Sequence, residues 1–179
     1  LDELEIADNT IVIFFSDNGG GGGADNTPLR GGKGRMFEGG LRVPCIVRWP
    51  GTIPPNTASN EFLTSMEIFP TLCKAAGAKP PKGVTLDGFD MADVLTGKAK
   101  SQRTKMFWQR RGDKAARVGE YKWVESEKGA GLFDLENDIE EQKDLSTKHP
   151  ETLNRLKQRF ATGKEQMQTA EPRGPFRDY

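Results

Sequence analysis

Thr10-Ile11-Val12-Ile13-Phe14-Phe15-Ser16-Asp17-Asn18-Gly19 is the stretch whose reading decides the fold class. Its first six residues are continuously apolar and rich in β-branched side chains, with no polar alternation. Such a run suits a strand buried on both faces, the mark of a central strand in a helix-covered α/β sheet. Ligands in these sheets collect beyond the carboxyl ends of the strands. Asp17 and Asn18 stand at that place. A carboxylate beside an amide carbonyl gives two hard oxygen donors, suited to Ca²⁺ or Mg²⁺. Two donors are too few for either ion, so the others must come from elsewhere. Asp-Asn-Gly equally suits a plain turn.

Downstream, Gly19 to Gly23 cannot hold regular structure, and residues 19–40 read as one long loop. The loop contains Arg30-Gly31-Gly32-Lys33-Gly34. Glycines there let backbone approach a ligand, and the Lys33 ammonium can neutralise an oxyanion. A solvated loop is the alternative. The phosphate-loop pattern is not met, since Thr27 replaces its first glycine and Gly34 its final Ser or Thr. Gly19–Ala24 mimics a dinucleotide fingerprint only through its glycine run, and no helix opens after it.

Outward from this core, acidic Leu1–Glu5 reads as the last turns of a helix. Val43–Trp49 reads as a second strand closed by Pro50-Gly51. Thr64–Ala76 reads as a helix capped by Thr64 or Ser65 and ended by Gly77. Lys79–Gly88 is a connector, and Met91–Leu95 a short helix. After Lys100 the texture changes. Met106–Trp108, Arg117–Glu125 and Gly131–Leu135 suggest a small antiparallel sheet. His149-Pro150 opens a helix with Leu153, Leu156 and Phe160 on one face and Arg155, Lys157 and Arg159 outward. Glu171–Tyr179 reads as an irregular tail. The expected division is an α/β core over 1–99 and a small α+β subdomain over 100–179.

Composition narrows the function. The 26 basic and 26 acidic residues cancel, so no global field recruits nucleic acid or an anionic membrane. No run approaches the roughly 20 apolar residues of a membrane span. Hydrophobic side chains make up 35%, and the apolar share reaches the usual roughly 45–50% only when the 21 glycines, which bring no side chain to bury, are counted. Such a chain is expected to leave a face for another segment to cover. Cys45 and Cys73 sit in apolar settings, which suits buried free thiols; one bridge between them is the alternative. Arg110, Arg111, Lys114 and Arg117 form a basic cluster that reads as a solvated strand-turn face. His149, the single histidine, reads as a neighbour of the helix cap.

Taken in order, these elements resemble the sulfatase family. Thr10–Gly19 resembles its strand ending in an Asp-Asn metal pair. Pro28-Leu29-Arg30-Gly31-Gly32-Lys33-Gly34-Arg35-Met36-Phe37-Glu38-Gly39-Gly40-Leu41-Arg42-Val43-Pro44 is similar to its most specific C-terminal block. Trp49-Pro50-Gly51, Thr64–Leu72 with Glu67 where Asp is usual, Leu86-Asp87-Gly88 and Leu132–Asp138 complete the likeness.

The resemblance implies the C-terminal part of an alkaline-phosphatase-like α/β sheet, plus a small antiparallel sheet packed with a C-terminal helix. It implies hydrolysis of sulfate monoesters by the complete protein, on a sulfated small molecule or glycan, in a periplasmic, secreted or lysosomal compartment. By it, Asp17 and Asn18 are two metal ligands, for Ca²⁺ in preference to Mg²⁺, and Lys33 contacts the sulfate oxygens. No formylglycine motif occurs here. Cys45 is followed by Ile-Val-Arg and Cys73 by Lys-Ala-Ala. The formylglycine nucleophile is therefore expected in an N-terminal part of the same enzyme, with this segment inactive alone. Arg30 and Arg42 receive no catalytic role. Two other readings stand: an alkaline-phosphatase-like enzyme acting on phosphate esters, and a non-catalytic module binding sulfated ligands.

Overall fold

The computed structural model describes residues 1–80 and 82–170; the expected tail, Glu171–Tyr179, lies outside them. The strands are β1 Val12–Phe15, β2 Cys45–Arg48, β3 Lys105–Arg110, β4 Asp113–Val118, β5 Tyr121–Ser126 and β6 Gly129–Asp134. The helices are α1 Glu38–Leu41, α2 Ile68–Ala75, α3 Ala92–Leu95 and α4 Pro150–Thr169. By packing, the chain divides into two compact units: Leu1–Phe15 with Cys45–Thr104, and Ser16–Pro44 with Lys105–Tyr179. The glycine-rich loop thus groups with the C-terminal sheet.

In the first unit β1 pairs antiparallel with β2, Val12 opposite Arg48 and Phe15 opposite Cys45. The strand expected at Thr10–Phe15 is present, but its faces are not both buried. Phe14 is 63% exposed and Ile46 64%. The sheet has two strands, and among the described residues nothing shields these side chains. The same lack of cover corrects the thiol expectation: both cysteines are free, but Cys45 is exposed and Cys73 half-buried. Leu1–Glu5 is not a helix end. It forms a 3₁₀ turn at Asp2–Leu4, followed by another at Ala7–Asn9. Glu5 closes the first in the left-handed region.

The expected helix at Thr64–Ala76 begins as a 3₁₀ turn, Ser65–Glu67, and continues as α2. Its start is fixed by Glu67, which is fully buried. Glu67 Oε2 accepts the Thr64 N–H at 2.5 Å and the Thr64 hydroxyl at 2.8 Å. Oε1 is paired with the Arg103 guanidinium, whose Nε lies at 2.8 Å. Gly77, at φ 65°, ends the helix.

In the second unit β3, β4, β5 and β6 form an antiparallel meander in chain order. The single strand expected at Arg117–Glu125 is two strands. Gly119, at φ 62°, turns the chain between Val118 and Tyr121. Neighbouring residues go to opposite faces, as the pleat requires. Ala116, Trp123 and Leu132 form one core with Leu156 and Phe160 of α4. Ala115, Val124 and Phe133 form the other, with Met36 and Phe37 from the glycine-rich loop. The predicted stripe on α4 is therefore the packed one. Leu156 is 0% exposed and Phe160 7%, and burying each contributes about 1.5–3 kcal/mol. The helix comes close because Gly163 has no side chain; a Cβ there would sit 2.6 Å from the Phe107 ring.

Candidate functional site

Ser16, Asp17 and Asn18 form a turn closed by the Ser16 hydroxyl donating to Asn18 O at 2.7 Å. The chain then runs into the loop in a fixed way. Gly19 N–H donates to Gly40 O at 3.0 Å, and Lys33 N–H donates to Gly20 O at 2.9 Å. The Asn26 amide clasps Gly20 from the other side, accepting its N–H and donating to its carbonyl, each at 2.9 Å. Lys33 is thereby tied, through Gly20, to the segment that carries Asp17 and Asn18. Its side chain and that of Asp17 are exposed. Among the described residues neither makes a hydrogen bond or an ion pair.

Several glycines here serve the packing of the loop itself. They let backbone approach backbone. A Cβ on Gly19 would sit 1.7 Å from Gly39 O, on Gly40 2.2 Å from Arg35 O, and on Gly32 2.5 Å from Gly20 O. Only Gly22 and Gly23 are open, with positive φ and no atom near a Cβ position. The segment is a tightly packed scaffold with a short free tip.

Beneath it lies a buried ionic cluster that the sequence reading missed. Lys122 is fully buried on the face that also carries Val124. Its Nζ lies 2.8 Å from Glu38 Oε1 and 2.8 Å from Glu141 Oε1. Glu141 Oε2 accepts the Glu38 N–H at 2.5 Å, while Oε1 takes no hydrogen bond of good geometry. Arg42 Nε donates to Glu38 Oε2 at 2.7 Å. Arg30 stacks on the Phe37 ring at 4.0 Å and donates to Glu141 O at 2.9 Å. Arg30 and Arg42 thus hold the loop. A signal was present in Tyr121-Lys122-Trp123-Val124: a lysine in register with a core valine needs a buried partner. The partners, 84 and 19 residues away, could not be read off.

The two carboxyls respond oppositely to this setting. Burial works against ionising Glu38, yet Lys122 and Arg42 outweigh it and hold its pKa below the ordinary 4.5. Burial pushes Glu141 above 4.5, and Lys122 with the Glu38 N–H offsets that only in part.

The residues present do not complete a metal site. Asp17 and Asn18 offer two oxygens, where Ca²⁺ takes about 6–8. Among the described residues no group of three His, Cys, Asp or Glu side chains could hold an ion. His149 precedes α4 as its cap residue, its ring 6.1 Å from that of Tyr121. An open depression bordered by Pro28, Arg30, Glu140, Glu141 and Gln142 includes none of Asp17, Asn18 and Lys33. No described helix is long and apolar enough to cross a membrane.

Comparison with known proteins follows the same stretch. The Sulfatase family model matches residues 1–78. Arylsulfatase A of Homo sapiens is 38% identical over 141 residues, which is 68% of this chain and 26% of that protein. Steryl-sulfatase of Mus musculus is 41% identical over 110 residues, 56% of this chain and 18% of that protein. The solved structure of Ps i-CgsB in complex with k-i-k-neocarrahexaose matches with a TM-score of 0.82 at 31% identity, covering 91% of this chain and 38% of that one. The chain spans about a quarter or less of the length of these curated relatives.

Proposed function

The chain belongs to the sulfatase family and has its fold, and from that premise we propose that the complete protein hydrolyses sulfate monoesters. Lys33 contacts the sulfate oxygens and steadies the charge that grows as the ester breaks. Asp17 and Asn18 supply two oxygens to a Ca²⁺ ion, and residues outside this chain complete its shell. When bound, such an ion neutralises and orients the sulfate group. The formylglycine nucleophile also lies outside this chain, so the 179-residue chain alone is inactive. The exposed faces of β1 and β2, with Phe14 and Ile46 on one and Phe15 on the other, are covered by the N-terminal part of the same enzyme. The substrate is a sulfated small molecule or glycan.

One observation carries this reading. Lys33 is held by its own backbone N–H to the segment bearing Asp17 and Asn18, and the Lys33 and Asp17 side chains have no partner among the described residues. That tie supports reading the three as one site, with two charged groups available to a metal ion and an anionic ester. The test is Lys33→Ala in the complete enzyme. Turnover of a chromogenic aryl sulfate should fall roughly 10²–10³-fold with an almost unchanged melting temperature. Lys33→Arg should recover only part, because a planar fork does not replace a compact point charge. Near-normal turnover in Lys33→Ala would place the sulfate contact elsewhere. The same assay on the 179-residue chain with added Ca²⁺ should show none.

A further inference from the structure

A second cation is built against the Lys33 loop. The Arg110 guanidinium, at the end of β3, lies over Gly34, the residue that follows Lys33. A Cβ on Gly34 would sit 3.5 Å from Arg110 Cζ and 3.5 Å from Nη1. Arg35 follows directly, half-buried, and Arg111 is exposed at the hairpin tip with φ 53°. Among the described residues Lys33, Arg35, Arg110 and Arg111 make no ion pair and no side-chain hydrogen bond. Other cations of the chain do find carboxylates: Lys74 with Asp90, Lys100 with Glu61, Lys114 with Glu125. The acid nearest in register to Arg110 is Asp113, and its carboxylate accepts the Glu127 N–H instead.

An uncompensated guanidinium draws anions. In a chain of zero net charge, its position beside Lys33 needs an account. A guanidinium presents a planar fork that matches the two oxygens of a sulfate or carboxylate. We propose that Arg110, lying over Gly34, forms a subsite for a second anionic group on the substrate. The substrate class is then a sulfated glycan carrying a further sulfate or carboxylate, rather than a singly charged aryl or alkyl sulfate. This rests on the reading that Lys33 holds the scissile sulfate. Arg110 sets specificity and takes no part in breaking the bond.

The test is the selectivity of the complete enzyme. Two substrates are compared on one preparation: a singly charged aryl sulfate and a doubly sulfated disaccharide. Arg110→Ala should lower the disaccharide-to-aryl ratio of kcat/KM roughly 10-fold, as loss of a charge-assisted hydrogen bond does, with the change carried by KM. Arg110→Lys should keep part of the ratio. Because both substrates meet the same protein, partial misfolding cancels. A carboxylated monosulfate as third substrate shows which second anion the fork takes. An unchanged ratio in Arg110→Ala, with wild-type turnover of both esters, overturns this inference and leaves the sulfatase reading intact. If the wild type hydrolyses neither ester, the sulfatase reading falls and this inference with it.

Discussion

The two sheets invert what their sequences suggest. β1 is Val-Ile-Phe-Phe, with Phe14 63% and Phe15 40% exposed. The meander includes an Ala-Ala pair in β4 and a lysine inside β5, yet Ala115, Ala116, Val124 and Leu132 are all 0% exposed. The apolar strand lies bare, and the mixed one is covered on both faces by α4 and the glycine-rich loop. Strand composition reports what a residue tolerates; burial is decided by what packs over it. The less apolar sheet is the closed one because its two covers are in the same chain.

The largest expected effect tests the charged part of the closed sheet. Lys122→Met leaves Glu141 buried without its cation and Glu38 with Arg42 alone, which should cost about 3–5 kcal/mol, read as a shift in the chemical-denaturation midpoint. A change under about 1 kcal/mol would mean that solvent reaches the cluster. Next comes the apolar contrast. Leu156→Ala, opening a hole under α4, should cost about 2–5 kcal/mol. In the isolated chain Phe14→Ala should stay within about 0.5 kcal/mol, as surface changes do. In the complete protein the same Phe14→Ala should cost about 3–5 kcal/mol. Equal, small costs in both settings would show that nothing covers β1.

The smallest effect is a difference in pH slope within the cluster. Glu38 has a lowered pKa, so its contribution is present above about 4.5 and is lost as pH falls through its folded value. The deficit of Glu38→Gln should therefore shrink on acidification. Glu141 has a raised pKa, so its contribution is full below about 4.5 and is lost as pH rises through its folded value. Glu141→Gln should therefore gain on the wild type as pH rises through that range. Parallel slopes in the two variants, measured by denaturation across pH 3–8 (roughly the span that Glu shifts cover), would show the assignment of the two carboxyls to be wrong.

Much of the fold was legible in local pattern. The strand before Asp17, the capped helix after Thr64 and the Leu153–Leu156–Phe160 stripe of α4 all follow from periodicity and end signals. The misreadings have specific causes. Arg117–Glu125 looked like one strand because Gly119 sits among residues that all suit strands. Leu1–Glu5 looked helical because spacing alone does not separate a 3₁₀ turn from an α-helix end. At the candidate site, Asp17, Asn18 and Lys33 were visible as residue types. The close backbone packing at Gly19, Gly32 and Gly40 was not, because such an approach leaves no mark distinct from flexibility.

Local sequence carried the likeness to the sulfatase family, most of the elements and the charged residue types of the candidate site, because these depend on residue types at short spacing. Tertiary structure alone decided which apolar strand would be buried. It alone joined Lys122 to Glu38 and Glu141 across 84 and 19 residues. It also laid the Arg110 guanidinium over Gly34. Burial and ion pairing are properties of what meets in space, and partners so distant along the chain meet only when the meander and the loop have closed on each other.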